Sequence, residues 1–338
     1  MPSQRGAAAR PIQPSRLLRA GPFLVALLIL LSAVRGAVRA DPPDLVSRLS
    51  SQDARSAGIA VALLAHSTIS GLLVEAGLPP GLSAARLLAV APGAGSLAMA
   101  GSRSGQPEGL LLAMIDGSQL WVRLPGASAA VYSPAGDRLL VIDGAGSAWQ
   151  VDPVTGGATL LAEGPFTGRP VFAPDGAVLF LAVSSVEAPI TSQLVRLDPV
   201  TGVLTSVSES QLVYGAFPMA DGTIAIAAHA PGGTLVDRIN DEEETQVADL
   251  GPDAANVVVA PDGTIAFERR GLGVFLVGPA EVGAHHLVDG DHPIFSPDGS
   301  ALLVASGGRT LLVALDGSIL GRYGPQAAFA SCPAGCAS

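Results

Sequence analysis

The densest group of side chains able to bind a metal or move a proton lies in one short segment. His285-His286-Leu287-Val288-Asp289-Gly290-Asp291-His292 holds three of the five histidines and two carboxylates. Imidazole and carboxylate together are the ligands of a transition-metal site. On a strand, however, neighbouring side chains point to opposite faces, so at most one of His285 and His286 can join Asp291 and His292. Asp175, Asp262 and Asp298 each stand in a Pro-Asp-Gly triplet. There an aspartate accepts hydrogen bonds from the N–H groups of its own turn, which makes it a turn residue and not a ligand. The acidic run Asp237 to Glu244 lacks the glycine and alternating donors of a calcium loop and reads as a solvated turn. Cys332 and Cys336 are spaced for a small local disulfide in an oxidising compartment, and two thiols make a poor zinc site. The chain has no G-x-S-x-G, no H-E-x-x-H and no phosphate-binding G-K-[ST]. No catalytic residue and no metal site is assigned, and no cofactor is expected.

The elements that position these residues repeat. A short apolar run, a Pro-Asp-Gly-like turn and a second apolar run recur as VYSPAGDRLLVI (131–142), VFAPDGAVLFLAV (from 171), AFPMADGTIAIAA (216–228), VVVAPDGTIAFE (257–268) and PIFSPDGSALLVAS (293–306), with a degraded copy at 87–100 and a truncated one at 327–335. Marked by the turn glycines Gly95, Gly136, Gly176, Gly222, Gly263, Gly299 and Gly335, the spacing is about 40 residues. Each unit reads as four short β-branched runs joined by turn chemistry. Pro sets the turn's first φ and Gly supplies its positive φ, and Asp316-Gly317 and the two DPVTG segments make a later hairpin. Four-stranded antiparallel units of this length bury both faces by stacking radially. The expected fold is an all-β propeller of seven four-stranded blades, or alternatively six. Strand-like runs at 59–65 and 69–75 and the incomplete unit after 326 suggest closure by strands from both termini.

In such a ring, ligands meet the loops that lead into the innermost strands and those that join the second strand to the third. That geometry selects Arg169, Tyr214, Asn256 and His292 from the first set, and Arg103, Arg270 and Arg309 from the second. Arginines gathered at one face would form a local surface for anions or carboxylates.

The [VIF]-[FVA]-[SA]-P-D-G turns followed by Leu/Val/Ile strands, with Ala314-Leu315-Asp316-Gly317 and Met114-Ile115-Asp116-Gly117, resemble the repeats of TolB-like propellers. The DPVTG turns are similar to those of YVTN-type and quinoprotein-like propellers. The likeness spans roughly 85–335 and implies a scaffold, which many functions share. The chain departs from TolB in having only residues 41–57 ahead of the repeats, too few for an α/β domain. A Tol–Pal role is therefore not implied.

Composition supports this reading. The 338 residues include 41 Gly and 27 Pro, too many for long helices, and 49% hydrophobic residues, enough for a core. All 19 basic residues are arginine, against 29 acids, for a net charge of −10. Arg5, Arg10, Arg16, Arg19, Arg35 and Arg39 fall in the first 40 residues, where there is no acid, so the remainder is more acidic still. A nucleic-acid partner is disfavoured. Residues 1–40 read as a secretory signal or an N-terminal anchor. Arg16 and Arg19 precede the apolar run Pro22 to Val34, and Ala37-Val38-Arg39-Ala40 then offers small residues just before Asp41. That run is shorter than the roughly 20 residues of a membrane span. The expected organisation is signal 1–40, linker 41–57, propeller 58–335 and tail 336–338. The expected protein is extracytoplasmic and monomeric, touching a membrane only through its N-terminal segment if that is uncleaved. Its expected role is a non-enzymatic binding or scaffold module for a protein, peptide or glycan. The alternative is a propeller enzyme of the lactonase, glutaminyl-cyclase-like or quinoprotein sort, with its site at the tunnel mouth.

Overall fold

A computed structural model describes residues 61–65, 72–76 and 82–330, apart from 104–107, 115–117, 174, 184–190, 199–201, 209–211, 241–242, 280 and 282. The described residues belong to the unit Leu49–Ser338. The signal, the linker, Asp116-Gly117, Cys332 and Cys336 lie outside the described residues.

The strands are short because turn residues interrupt them. Two early strands, β1 (Val61–Ala65) and β2 (Leu72–Ala76), precede the first blade, formed by β3 (Leu82–Val90), β4 (Ser96–Arg103), β5 (Gly109–Met114) and β6 (Gln119–Val122). The second blade is β7 (Ala129–Tyr132), β8 (Leu139–Ile142), β9 (Ala148–Val151) and β10 (Ala158–Ala162). The third is β11 (Phe166–Phe172), β12 (Val178–Val183), β13 (Ser192–Leu197) and β14 (Leu204–Ser206). The fourth is β15 (Val213–Pro218), β16 (Ile224–Ala230), β17 (Gly233–Ile239) and β18 (Glu244–Gly251). The fifth is β19 (Ala254–Val259), β20 (Ile265–Arg269), β21 (Gly273–Val277) and β22 (His285–Val288). The sixth is β23 (Asp291–Phe295), β24 (Ala301–Ser306), β25 (Arg309–Ala314) and β26 (Ile319–Tyr323), and β27 (Ala327–Ala330) follows it. Each blade is an antiparallel meander in chain order.

Among the described residues there are six four-stranded blades, which corrects the expectation of seven and agrees with the alternative of six. Among the described residues, the segments near the two ends of the chain supply three strands and not the four of such a blade. They share a three-stranded sheet in the order β1-β2-β27, with Val74 opposite Ala328 and Leu72 opposite Ala330.

The core sits between sheets, and strand alternation builds it. In β8, Leu139 and Val141 face the first blade, while Leu140 and Ile142 face the third. In β24, Leu302 and Val304 pack on the fifth blade, and Ala301 and Leu303 pack with Leu73 of β2. On the other side of the three-stranded sheet, Val74 and Ala330 pack with Leu97 and Ala113 of the first blade. A second strand buried on both faces therefore reads as an unbroken apolar run. The outermost strands, such as β10 and β14, are largely exposed.

The repeated aspartates do what turn chemistry requires. Asp175 Oδ1 accepts from Ala177 N at 3.1 Å, Asp262 Oδ1 from Thr264 N at 2.9 Å, and Asp298 Oδ1 from Ser300 N at 3.1 Å. In the acidic run, Asn240 and Glu243 occupy the exposed β17–β18 turn, whereas Asp237 lies within β17 and is buried.

Candidate functional site at the tunnel mouth

The innermost strands β3, β7, β11, β15, β19 and β23 contact one another in succession, and β27 contacts β3, so these strands lie side by side along the inner edge of the propeller, where a central tunnel is expected. Because each innermost strand runs antiparallel to the second, the start of one lies beside the end of the other. Leu82 pairs with Arg103, Ala254 with Arg269, and Asp291 with Ala305. The turns after β4, β20 and β24 therefore share an end with the beginnings of β3, β19 and β23. Three of the seven residues chosen from the sequence fall at or beside the junction of the second and third strands, and the other four lie within the innermost strands and not in the loops ahead of them. Arg103 closes β4, Arg270 follows β20 and Arg309 opens β25, and all three are exposed. Arg169, Tyr214, Asn256 and His292 lie in innermost strands.

These four sit at or beside breaks in the ladder. The register shifts between Thr167 and Val171 in β11, Val213 and Gly215 in β15, Ala255 and Val258 in β19, and Asp291 and Ile294 in β23. A bulge of this kind bends the strand and re-aims a side chain. Asn256 (φ 47°) and His292 (φ 49°) are the non-glycine residues with left-handed backbone among those described. Left-handed backbone is unfavourable for any residue with a Cβ, least so for types such as Asn and His, and it concentrates at functional positions.

One counting rule connects these positions. Arg169, Asn256 and His292 each stand seven residues before their turn glycines Gly176, Gly263 and Gly299. The same count leads to Ala129 before Gly136, and to Gly215, the neighbour of Tyr214, before Gly222. In the first blade the turn glycine with positive φ is Gly93 (φ 70°), whereas Gly95 has φ −65°. Gly95 is thus the wrong mark, and counting from Gly93 leads to Arg86, which the sequence reading misses. The signal is present, but the degraded Pro92-Gly93 turn hides it.

The side chains of this layer differ in their surroundings. Asn256 Nδ2 donates to Glu268 Oε2 at 2.6 Å, and His292 Nδ1 lies 3.1 Å from Asp291 Oδ1. The Tyr214 ring stacks on His229 with centroids 4.5 Å apart. Its hydroxyl is buried with no hydrogen-bond partner. The nearby Thr234 hydroxyl lies outside bonding geometry and donates to the Ala254 carbonyl at 3.1 Å. Burial pushes the Tyr214 pKa up to about 12, with Thr234 opposing weakly. Arg86 Nη2 donates to the Ser128 carbonyl at 2.7 Å. Arg169 is exposed, yet the density of protein around it lowers its pKa from the ordinary guanidinium value. The intrinsically high guanidinium pKa keeps it charged.

The histidine-rich segment does not converge. His285 faces Glu281 at 3.7 Å, His286 faces Asp289 at 3.2 Å, and His292 keeps to Asp291. Among the described residues no three His, Cys, Asp or Glu side chains gather as metal ligands.

No family model and no curated protein matches the sequence. Solved structures do. The fold is similar to TolB from Acinetobacter baumannii, at 17% identity over 80% of this chain and 81% of that one, with a TM-score of 0.53. It is similar to oligogalacturonate lyase from Vibrio parahaemolyticus at 12% identity over 77% and 84%, with a TM-score of 0.58. It is also similar to puromycin hydrolase at 19% identity over 69% and 46%, with a TM-score of 0.52. At such identities the likeness is one of fold. The chain is a β-propeller, and its resemblance to TolB is one of scaffold.

Proposed function

We propose that this chain is an exported, non-enzymatic β-propeller that offers its tunnel mouth to a protein, peptide or glycan partner. The observation that carries the reading is the gathering of polar side chains at one end of the innermost strands, two of them on left-handed backbone at bulges. A scaffold with no ligand at that end would have no use for this arrangement, since glycine satisfies the same backbone without the cost of a Cβ. The basic and apolar segments of residues 1–40 support export. In the same reading the three-stranded sheet of β1, β2 and β27 serves as a reduced seventh blade that closes the ring.

Binding is tested with the purified mature protein immobilised against an extracytoplasmic fraction and a glycan array. Asn256→Ala and His292→Ala are compared with the outer-turn control Val154→Ser. Partners retained by the control and lost by both mouth variants support the reading. Retention that is indifferent to the mouth variants, or a partner lost only with Val154→Ser, overturns it. Export is tested by N-terminal sequencing of the secreted protein, with Asp41 expected as the first residue.

A further inference from the structure

We propose that Arg86 and Arg169 form a binding site for a small oxyanion, a carboxylate or phosphate group, inside the tunnel. The two arginines belong to the first and third blades, and Ala129 occupies the equivalent position of the blade between them. Its methyl group fills little of the space that a larger side chain would take. What remains is a cavity of about 180 Å³ lined by both arginines and by Leu88, Ser128 and Ala129. Liquid water occupies about 30 Å³ per molecule, so a carboxylate or phosphate fits with room for bridging water.

The charges in this cavity are not balanced. Among the described residues no acidic side chain lines it, in a protein with 29 acids against 19 arginines. Arg86 is held in place by the Ser128 carbonyl at 2.7 Å, which leaves other guanidinium donors uncommitted. Arg169 makes no ion pair or hydrogen bond with any described residue. Two cations that line one cavity without a counter-charge repel each other. An oxyanion removes that penalty and accepts charge-assisted hydrogen bonds from a planar donor fork.

This deepens the binding-module reading and rests on the tunnel mouth being the ligand end. The test titrates the purified full chain with inorganic phosphate, with acetate, and with Ala-Ala-Ala carrying either a free or an amidated C-terminus. Sodium chloride of equal ionic strength is the control. Wild-type protein is expected to bind at least one oxyanion and to melt at a higher temperature in its presence than in chloride. Arg86→Gln and Arg169→Gln are expected to weaken binding at least tenfold, while Arg322→Gln, on the outermost strand β26, leaves it unchanged. Loss of binding on amidation identifies a peptide carboxylate as the source, and response to phosphate alone identifies phosphate. Circular dichroism shows that the variants fold; if one does not, protection of wild type by oxyanion over chloride decides. No oxyanion effect in wild type, or equal binding by folded Gln variants, overturns the site. A partner captured normally by a wild-type protein that binds no oxyanion defeats this site and leaves the broader reading intact. Oxyanion binding with partner retention indifferent to Asn256→Ala and His292→Ala does the reverse.

Discussion

Single residues in this protein carry either turn chemistry or tunnel chemistry, and the two are told apart by what each side chain touches. Asp152 accepts from the backbone of Val154 and Thr155, at 2.8 and 3.2 Å, and Asp137 accepts from the Ser133 hydroxyl at 2.6 Å. The Val154 N–H chiefly lowers the Asp152 pKa, the Ser133 hydroxyl that of Asp137, and the Ser318 hydroxyl that of Asp316, each from the ordinary 3.8. A carboxylate whose folded pKa is depressed contributes stability above its unfolded pKa and loses it as pH falls through the folded one. Urea midpoints measured from pH 7 downward should therefore hold until about pH 4 and then drop. Asp152→Asn should reduce that drop slightly, because the site is exposed and its contribution screened. Tyr214 makes the opposite case. A buried hydroxyl without a partner costs about 1–3 kcal/mol, so Tyr214→Phe should stabilise the fold by about 1 kcal/mol, read as a higher urea midpoint. A lower midpoint would show that the hydroxyl is satisfied in solution.

At the scale of elements, the hairpins are legible because their information is local. Ser296-Pro297-Asp298-Gly299 turns β23 into β24, and Asp316-Gly317 turns β25 into β26, as turn chemistry predicts. Innermost strands are less legible. The expected first run of the last unit is Ile294-Phe295, whereas β23 begins at Asp291, because the bulge at His292 breaks the alternation that marks a strand. The Asp237 to Glu244 run reads from sequence as wholly solvated, yet the meander carries Asp237 into β17. Turn geometry also explains one unusual glycine. Gly233 opens β17 with φ 142°, and a Cβ there would overlap the backbone of Gly251 and Pro252. The sheet cannot move that backbone without losing the β17–β18 ladder. Gly233→Ala should cost about 2 kcal/mol or more by thermal or urea unfolding. Gly222, also in a turn, has open space around the corresponding point, so Gly222→Ala should suffer only the penalty of its positive φ.

The whole molecule depends on a pairing that the incomplete units at its two ends suggest. β2 and β27 lie about 250 residues apart in sequence, yet they pair in one sheet that packs on the sixth and first blades. Phe329 and Leu73 pack against Leu303 and Leu312 on one side, and Val74 and Ala330 pack with Leu97 and Ala113 on the other. If that sheet closes the ring, ending the chain at Tyr323 should lower the melting temperature and broaden the transition, since two apolar blade faces become exposed. Phe329→Ala should cost about 2 kcal/mol, because its side chain is only partly buried. An unchanged melting temperature in the truncated protein would refute closure. The sequence by itself determined the four-stranded unit and its period, because turn residues act over four or five positions. Only the tertiary structure decided that the four-stranded blades among the described residues number six, and that Arg86 and Arg169 line one cavity with Ala129. These depend on packing between segments far apart in the chain, where the energy of a contact is decided by partners that no local pattern names.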